Sequence, residues 1–148
     1  MMKAAQILLI LAGIAGLIGV RVLQENLFYD PLLSYFHEAN RTAVFPDFNW
    51  TKLIISHLFR FLLNLIFSAM IIHGFFLNGK WTLQGVIMIC LVFVVTFPLY
   101  LYCVSTKFEI GYLFSFYMRR FVIQPLILLL IIPMFYYRKH IQNTADRN

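Results

Sequence analysis

The sequence predicts an all-α membrane protein with four transmembrane helices and a short interfacial helix in the first loop. Hydrophobic residues make up 61% of the 148 residues, charged residues make up 12%, and the mean hydropathy is +0.81. Soluble domains are roughly 45–50% apolar and roughly 25% charged, so this chain departs from them in both directions. The composition also excludes intrinsic disorder, and two cysteines are too few for a secreted disulfide scaffold.

Four apolar stretches are long enough to cross a bilayer. A hydrocarbon core of about 30 Å requires about 20 mostly apolar residues in a helix. The predicted spans cover residues 4–20, 53–77, 83–104 and 121–137, and a structured loop covers residues 21–52. None of these stretches alternates apolar and polar residues as barrel strands do. We therefore expect residues 1–148 to form a single four-helix domain.

Small residues in the first span lie at the spacing of one helical turn. Ala12 and Gly16 are four residues apart, and so are Ala15 and Gly19. Small residues at this spacing let a second helix approach closely. They fit either packing within the bundle or a specific dimer face.

The first loop is the only sizeable segment outside the spans, and its residues predict structure. Asp30 followed by Pro31 predicts a capped short helix, because Asp accepts from free amides and Pro is favoured at the first helical position. Asn49 or Thr51 can cap the second span. The aromatic content of the loop suits the membrane–water interface. Two roles stay open, a cover for the bundle and a docking platform for a partner protein.

Polar residues recur along the second span. His57, Arg60 and Asn64, followed by Ser68, are spaced by three and four residues, which places them on one helical face. Arg60 lies about 10 Å along this span. It either extends its stem to the interface or pairs with a carboxylate that holds helices together. We expect these residues to make packing or partner contacts.

The acidic residues that could pair with Arg60 lie in the loops on one side of the bundle. They are Glu25, Asp30, Glu38, Asp47 and Glu109. We select Asp30 and Glu25 as the candidates for packing or partner contacts with the polar face.

Prolines interrupt the later spans. Pro98 in the third span, and Pro125 and Pro133 in the fourth, predict kinks. Gln124 is a further candidate contact residue, because its side-chain amide can satisfy backbone groups that Pro125 frees. Arg119 and Arg120 directly precede the fourth span. They either anchor the chain at the interface or capture an anionic lipid headgroup or a partner's carboxylate.

No catalytic pattern accompanies these residues. The four histidines show no ligand spacing, so we expect no metal and no cofactor. Cys90 and Cys103 are about 20 Å apart along one helix, too far for a disulfide. The dispersed basic residues indicate contact with membrane lipids and no nucleic-acid partner.

The orientation of the chain in the membrane is predicted from its basic residues. Their numbers are similar on the two sides of the predicted bundle. Lys3 at the start and the Arg138–Lys139 pair after the last span favour both termini in the cytoplasm.

Two segments resemble a known family. The stretch from Arg21 to Pro31 (RVLQENLFYDP), followed by Arg119 to Pro125 (RRFVIQP) and Pro133 to Tyr137 (PMFYY), resembles the exosortase F system-associated membrane proteins of Bacteroidota. The resemblance covers nearly the whole chain. It implies a place in the bacterial inner membrane beside an exosortase, a transpeptidase-like enzyme that processes the C-terminal sorting tails of exported proteins.

Together these observations favour a non-enzymatic accessory subunit of an envelope protein-sorting or other membrane complex. The alternative is a small membrane enzyme or lipid-headgroup-binding protein that uses Cys103 or His57 with Arg60 and the Arg119–Arg120 pair. A channel or transporter is less favoured, because no carboxylate lies in the middle of a predicted span.

Overall fold

The computed structural model describes residues 3–32 and 47–146. Every regular element within these two ranges is a helix. In chain order the helices are α1 Ala4–Val22, α2 Gln24–Leu27, α3 Trp50–Phe76, α4 Gly79–Ser105, α5 Tyr112–Ile123 and α6 Leu128–Ala145. The prediction of an all-α membrane protein is confirmed.

Three of the helices are long and apolar enough to cross a membrane. They are α1 with 19 residues, and α3 and α4 with 27 residues each, with mean hydropathies of 2.1, 1.8 and 2.5. At about 1.5 Å per residue, even the shortest of them reaches nearly 30 Å. Helices α3 and α4 begin three and four residues earlier than predicted, because Asn49 and Asn78 cap them with side-chain oxygens.

The fourth predicted span is a broken helix. The structure starts it earlier, at Tyr112, and interrupts it at residues 124–127, where α5 and α6 meet with a bend of 60°. Pro125 has no N–H group, and the N–H of Leu126 donates to the carbonyl of Gln124 at 2.8 Å instead of continuing α5. The predicted interruption therefore falls at Pro125, whereas α4 and α6 continue as helices through Pro98 and Pro133.

Helix α3 is the centre of the bundle, since it packs against α1, α4 and α5. Its contact with α1 is the most extensive and depends on glycine. A methyl group added at Gly13 would lie 2.9 Å from the carbonyl oxygen of Phe67, and one added at Gly16 would meet the Phe67 ring. Glycine therefore lets the two backbones approach closely. Gly19, by contrast, has nothing within 4 Å of that position.

Two apolar clusters fill the described bundle. The first lies where α3 begins and α4 ends, and it contains Leu53, Phe93, Tyr100, Val104 and Val122. The second lies towards the other end, and it contains Ile72, Ile89, Leu128, Ile131 and Phe135. Phe61 packs against both clusters, and its ring stacks on Phe93 with centroids 3.8 Å apart.

The two flanks of the first loop meet at the start of α3. The backbone N–H of Asn49 donates to Oη of Tyr29 at 3.4 Å, and Lys52 Nζ lies 5.9 Å from the centre of the Tyr29 ring. The short helix α2 lies in the predicted loop. The further helix expected to begin at Pro31 falls on residues 33–46, which are outside the described ranges.

Candidate functional site, a buried charge cluster

The polar face of α3 is turned into the bundle. His57, Arg60, Asn64 and Ser68 are all buried, with exposures of 3%, 3%, 6% and 0%. Uncompensated polar groups at membrane depth are costly, so each of them needs a local partner.

Asp30, Arg60 and Arg119 come together from three parts of the chain, and we refer to them as the charge cluster. Asp30 lies in the first loop, Arg60 on α3 and Arg119 on α5. The side chains of Asp30 and Arg60 are 3% and 4% exposed, and that of Arg119 is 11% exposed. Loop, central helix and broken helix are thus joined at one buried point.

Both arginines face the same oxygen of Asp30. Nη2 of Arg119 donates a hydrogen bond to Oδ2 of Asp30, and Nη1 of Arg60 lies 3.7 Å from that oxygen. Oδ1 of Asp30 has no hydrogen-bond partner within the described part of the chain. The carboxylate that was expected to cap a helix at Pro31 is therefore directed at the two guanidinium groups.

Arg60 has further contacts within the same chain. Its Nη2 donates to Oε1 of Gln24, and its guanidinium lies 5.3 Å from the centre of the Phe28 ring. A cation over an aromatic face is stabilised by the ring quadrupole. Of the two alternatives left open by the sequence, the structure has Arg60 paired with a carboxylate inside the bundle.

Within the charge cluster, two guanidinium groups face one carboxylate. Charges interact more strongly in a low-dielectric interior than in water, and the cost of burying them is also larger. Asp30 is therefore the residue on which the cluster depends most. Its carboxylate contacts both arginines and offsets their mutual repulsion.

His57 lies beside the charge cluster. Its Nδ1 is 2.9 Å from the carbonyl oxygen of Leu53, so Nδ1 carries the proton of this bond. Its ring centre lies 5.2 Å from that of Tyr100, which is fully buried on α4. Nε2 of His57 is buried and has no hydrogen-bond partner in residues 3–32 and 47–146.

Asn64 and Gln124 act at the break between α5 and α6. Nδ2 of Asn64 donates to the carbonyl oxygen of Ile123 at 2.7 Å, which satisfies a group at the open end of α5. The sequence predicts that the side chain of Gln124 satisfies the backbone groups that Pro125 frees. Oε1 of Gln124 instead accepts from Nε of Arg120 at 3.2 Å.

The remaining candidates lie apart from the cluster. Glu25 is exposed on α2 and forms no ion pair with any described residue. Arg120 is also exposed, whereas its neighbour Arg119 is turned inward, so the carboxylate that Arg119 contacts belongs to the same chain. Glu38 lies outside the described residues, and Asp47 and Glu109 are exposed.

Three members of the site were not selected from the sequence, namely Gln24, Phe28 and Tyr100. Gln24 and Phe28 lie within the segment from Arg21 to Pro31 that carries the family resemblance, which was the one available signal. Tyr100 lies on a uniformly apolar span and gave no signal. Its burial depends on which helix α4 packs against.

Both cysteines are free thiols, and neither is exposed. Cys103 is fully buried in the apolar cluster around Tyr100, and Cys90 is partly buried. Residues 3–32 and 47–146 hold no group of three or more His, Cys, Asp and Glu side chains placed to share a metal ion.

Comparisons with protein-family models, with curated proteins and with solved structures found no match to the chain.

Proposed function

We propose that this chain is a non-enzymatic accessory subunit of a larger complex in the bacterial inner membrane. The observation that carries the proposal is the charge cluster. The side chain of Asp30 contacts both Arg60 and Arg119 within the chain. These contacts hold the first loop against the helices. We expect an accessory subunit to present such a fixed surface to its partner.

The partner-binding surface that we propose lies at the paired ends of the first loop. This loop-end surface consists of Tyr29, Asn49, Trp50 and Lys52. Tyr29 and Trp50 are 41% and 43% exposed, and contacts from Asn49 and Lys52 hold the Tyr29 ring. Exposed aromatic residues with few rotamers are enriched at protein–protein interfaces. The buried carboxylate of Asp30, next to Tyr29, fixes this surface to the bundle.

The link to exosortases depends on the family resemblance. The two segments that carry it meet in the structure, because Asp30 belongs to the first and Arg119 to the second. With both termini in the cytoplasm, the loop-end surface would lie on the outer face of the inner membrane. Sorting tails of exported proteins reach an exosortase on that face, so an accessory subunit would contact the enzyme or its substrate there.

The first experiment tests partner binding in the native cell. The tagged full-length chain is purified in mild detergent, and we expect a membrane protein to co-purify in a fixed ratio. Tyr29→Ala should reduce its recovery several-fold, whereas Tyr136→Ala, at a tyrosine that is 69% exposed on α6, should not. Thermal unfolding of both variants checks that they are folded. Recovery of the chain alone, or equal losses in both variants, would contradict the proposal.

The second experiment tests the link to sorting. Deletion of the chain should leave exported proteins with unprocessed C-terminal tails, which mass spectrometry detects. Restoration by wild type and by Cys103→Ala is expected, because an accessory subunit does not use a thiol nucleophile. Normal processing in the deletion strain would contradict a role in sorting while leaving an accessory role elsewhere open to the first experiment.

The second candidate is a small membrane enzyme or a protein that binds lipid headgroups. The proximity of His57 to Tyr100, Arg60 and Asp30 favours it, since these groups lie together and Nε2 of His57 is unused. An enzyme also needs access for a substrate. The cavity beside Arg60 is lined by neither His57, Arg119 nor Cys103. Loss of tail processing in His57→Gln or Cys103→Ala, with unchanged thermal unfolding, would favour the enzyme over the accessory subunit.

A further inference from the structure

A groove beside the charge cluster opens between α1, α3 and the break in the last helix pair. Its volume is about 270 Å³, and its lining includes Leu17, Arg21, Arg60, Asn64, Gln124 and Leu129. Cationic and amide groups lie on part of the wall, and aliphatic side chains form the rest. The groove is separate from the loop-end surface.

Both arginines of the groove can accept an anionic ligand. Nη1 of Arg60 lies 3.7 Å from Oδ2 of Asp30, and Arg21 forms no ion pair with any described residue. Nε of Arg60, whose side chain is 4% exposed, has no hydrogen-bond partner among the described residues. Arg21, one turn after Leu17 on α1, adds another cation to the same wall. A negatively charged ligand is the complement of this wall.

The broken backbone between α5 and α6 lies along one side of the groove. At the end of α5 the carbonyl of Phe121 would be bonded by residue 125, which is a proline without an N–H group. The N–H of Leu126, four residues after Val122, donates to Gln124 instead. Irregular backbone at membrane depth is tolerated where it is buried in protein or lines a cavity that holds polar groups.

The aliphatic part of the wall identifies the kind of anion. Leu17, Leu128 and Leu129 are among the aliphatic residues that line the groove. A free inorganic anion would leave these side chains uncovered, whereas an acyl chain would cover them.

We propose that this groove binds one anionic phospholipid, with its phosphate at Arg21 and Arg60 and an acyl chain against Leu17 and Leu129. A phosphate oxygen would accept from the guanidinium groups, as in other charge-assisted pairs. The bound lipid would neutralise Arg21 and cover the break between α5 and α6. The lipid site does not depend on the accessory role, and a negative result for either one leaves the other standing.

The phosphate end is tested in lipid nanodiscs. Full-length protein is placed in discs of phosphatidylcholine alone or of equal parts phosphatidylcholine and phosphatidylglycerol, and thermal unfolding and native mass spectrometry are measured. We expect phosphatidylglycerol to raise the unfolding temperature and to remain as a one-lipid adduct, since a ligand that binds only the folded state stabilises it. Arg21→Gln should weaken adduct formation about tenfold. Arg138→Gln, the same change at an exposed arginine of α6 outside the groove, should not.

The acyl-chain end is tested by filling the groove. Leu17→Trp should abolish the one-lipid adduct, whereas Leu11→Trp, on the same helix at a leucine that is 60% exposed, should keep it. These variants change no charge, so they test the proposal even if Arg21→Gln unfolds the protein.

Several outcomes would overturn the lipid proposal. Equal stabilisation in the two kinds of disc would mean that the groove has no preference for an anionic lipid. Stabilisation by inorganic phosphate alone would mean a simple anion site. A dimer mass that Leu17→Trp removes would mean that a second copy of the chain fills the groove. A co-purifying protein lost in Leu17→Trp would mean that the groove is a protein interface.

Discussion

The side chain of Asn64 on α3 donates a hydrogen bond of 2.7 Å to the carbonyl oxygen of Ile123, the last residue of α5. A polar residue of one span thus completes the backbone hydrogen bonding of another, at the point where Pro125 prevents the helix from doing so itself. The same face of α3 also carries Arg60, one turn earlier. The face therefore stabilises both the charge cluster and the break.

The first prediction concerns this bond. Asn64→Ala should lower the free energy of unfolding by about 1–2 kcal/mol, because it leaves a buried carbonyl without its donor. The measurement is unfolding by titration with sodium dodecyl sulfate in mixed micelles. Asn143→Ala, at an exposed asparagine of α6, is the control and should change stability little. Equal effects of the two changes would mean that Asn64 is dispensable at the break.

The second prediction orders the variants of the charge cluster. Asp30→Asn removes the carboxylate that contacts both buried arginines and should cost about 3–5 kcal/mol, whereas Arg119→Gln leaves Asp30 paired with Arg60 and should cost less. Asp47→Asn, at an exposed aspartate, is the control. The free energy of unfolding of each variant is measured in micelles.

The double variant tests whether Asp30 and Arg119 act on each other. Asp30→Asn combined with Arg119→Gln should cost less than the sum of the two single changes, by about 1 kcal/mol or more. Additive effects, or a larger loss for Arg119→Gln than for Asp30→Asn, would contradict the electrostatic account.

The spans could be predicted from the sequence because length and hydropathy alone determine whether a helix can cross a bilayer. The charge cluster could be predicted only in part. The spacing of His57, Arg60 and Asn64 placed them on one face, but five loop carboxylates were possible partners for Arg60. Which of them reaches Arg60 depends on the path of the first loop, and no local pattern encodes that path.

The inward position of Arg119 could not be predicted from the sequence for a physical reason. Arg119 and Arg120 are adjacent, and two arginines before an apolar run are typical of the membrane–water interface. The structure turns Arg119 inward because Asp30, 89 residues away, supplies a buried carboxylate. Whether Arg119 lies at the membrane surface or inside the bundle thus depends on whether a carboxylate is available there. The tertiary fold, which brings Asp30 to this place, determines that.

The third prediction concerns the contact of α1 with α3. Gly13→Ala should destabilise the bundle by about 1–3 kcal/mol, since the added methyl group would lie 2.9 Å from the Phe67 carbonyl oxygen. Gly19→Ala is the matched control. It has nothing within 4 Å and should be neutral or stabilising by up to about 1 kcal/mol, because alanine favours the helix. Thermal unfolding in micelles compares them, and equal losses would mean that α1 does not pack on α3 through Gly13.

The fourth prediction compares two serines that are both fully buried. Ser115 Oγ donates to the carbonyl oxygen of Gly111 at 3.0 Å, whereas Ser68 Oγ has no hydrogen-bond partner in the described part of the chain. Ser115→Ala should therefore cost about 0.5–1.5 kcal/mol of the free energy of unfolding. Ser68→Ala removes an unsatisfied hydroxyl and should leave stability unchanged or raise it by about 1 kcal/mol. A clear loss of stability in Ser68→Ala would mean that this hydroxyl bonds to a group outside the described chain, such as a buried water.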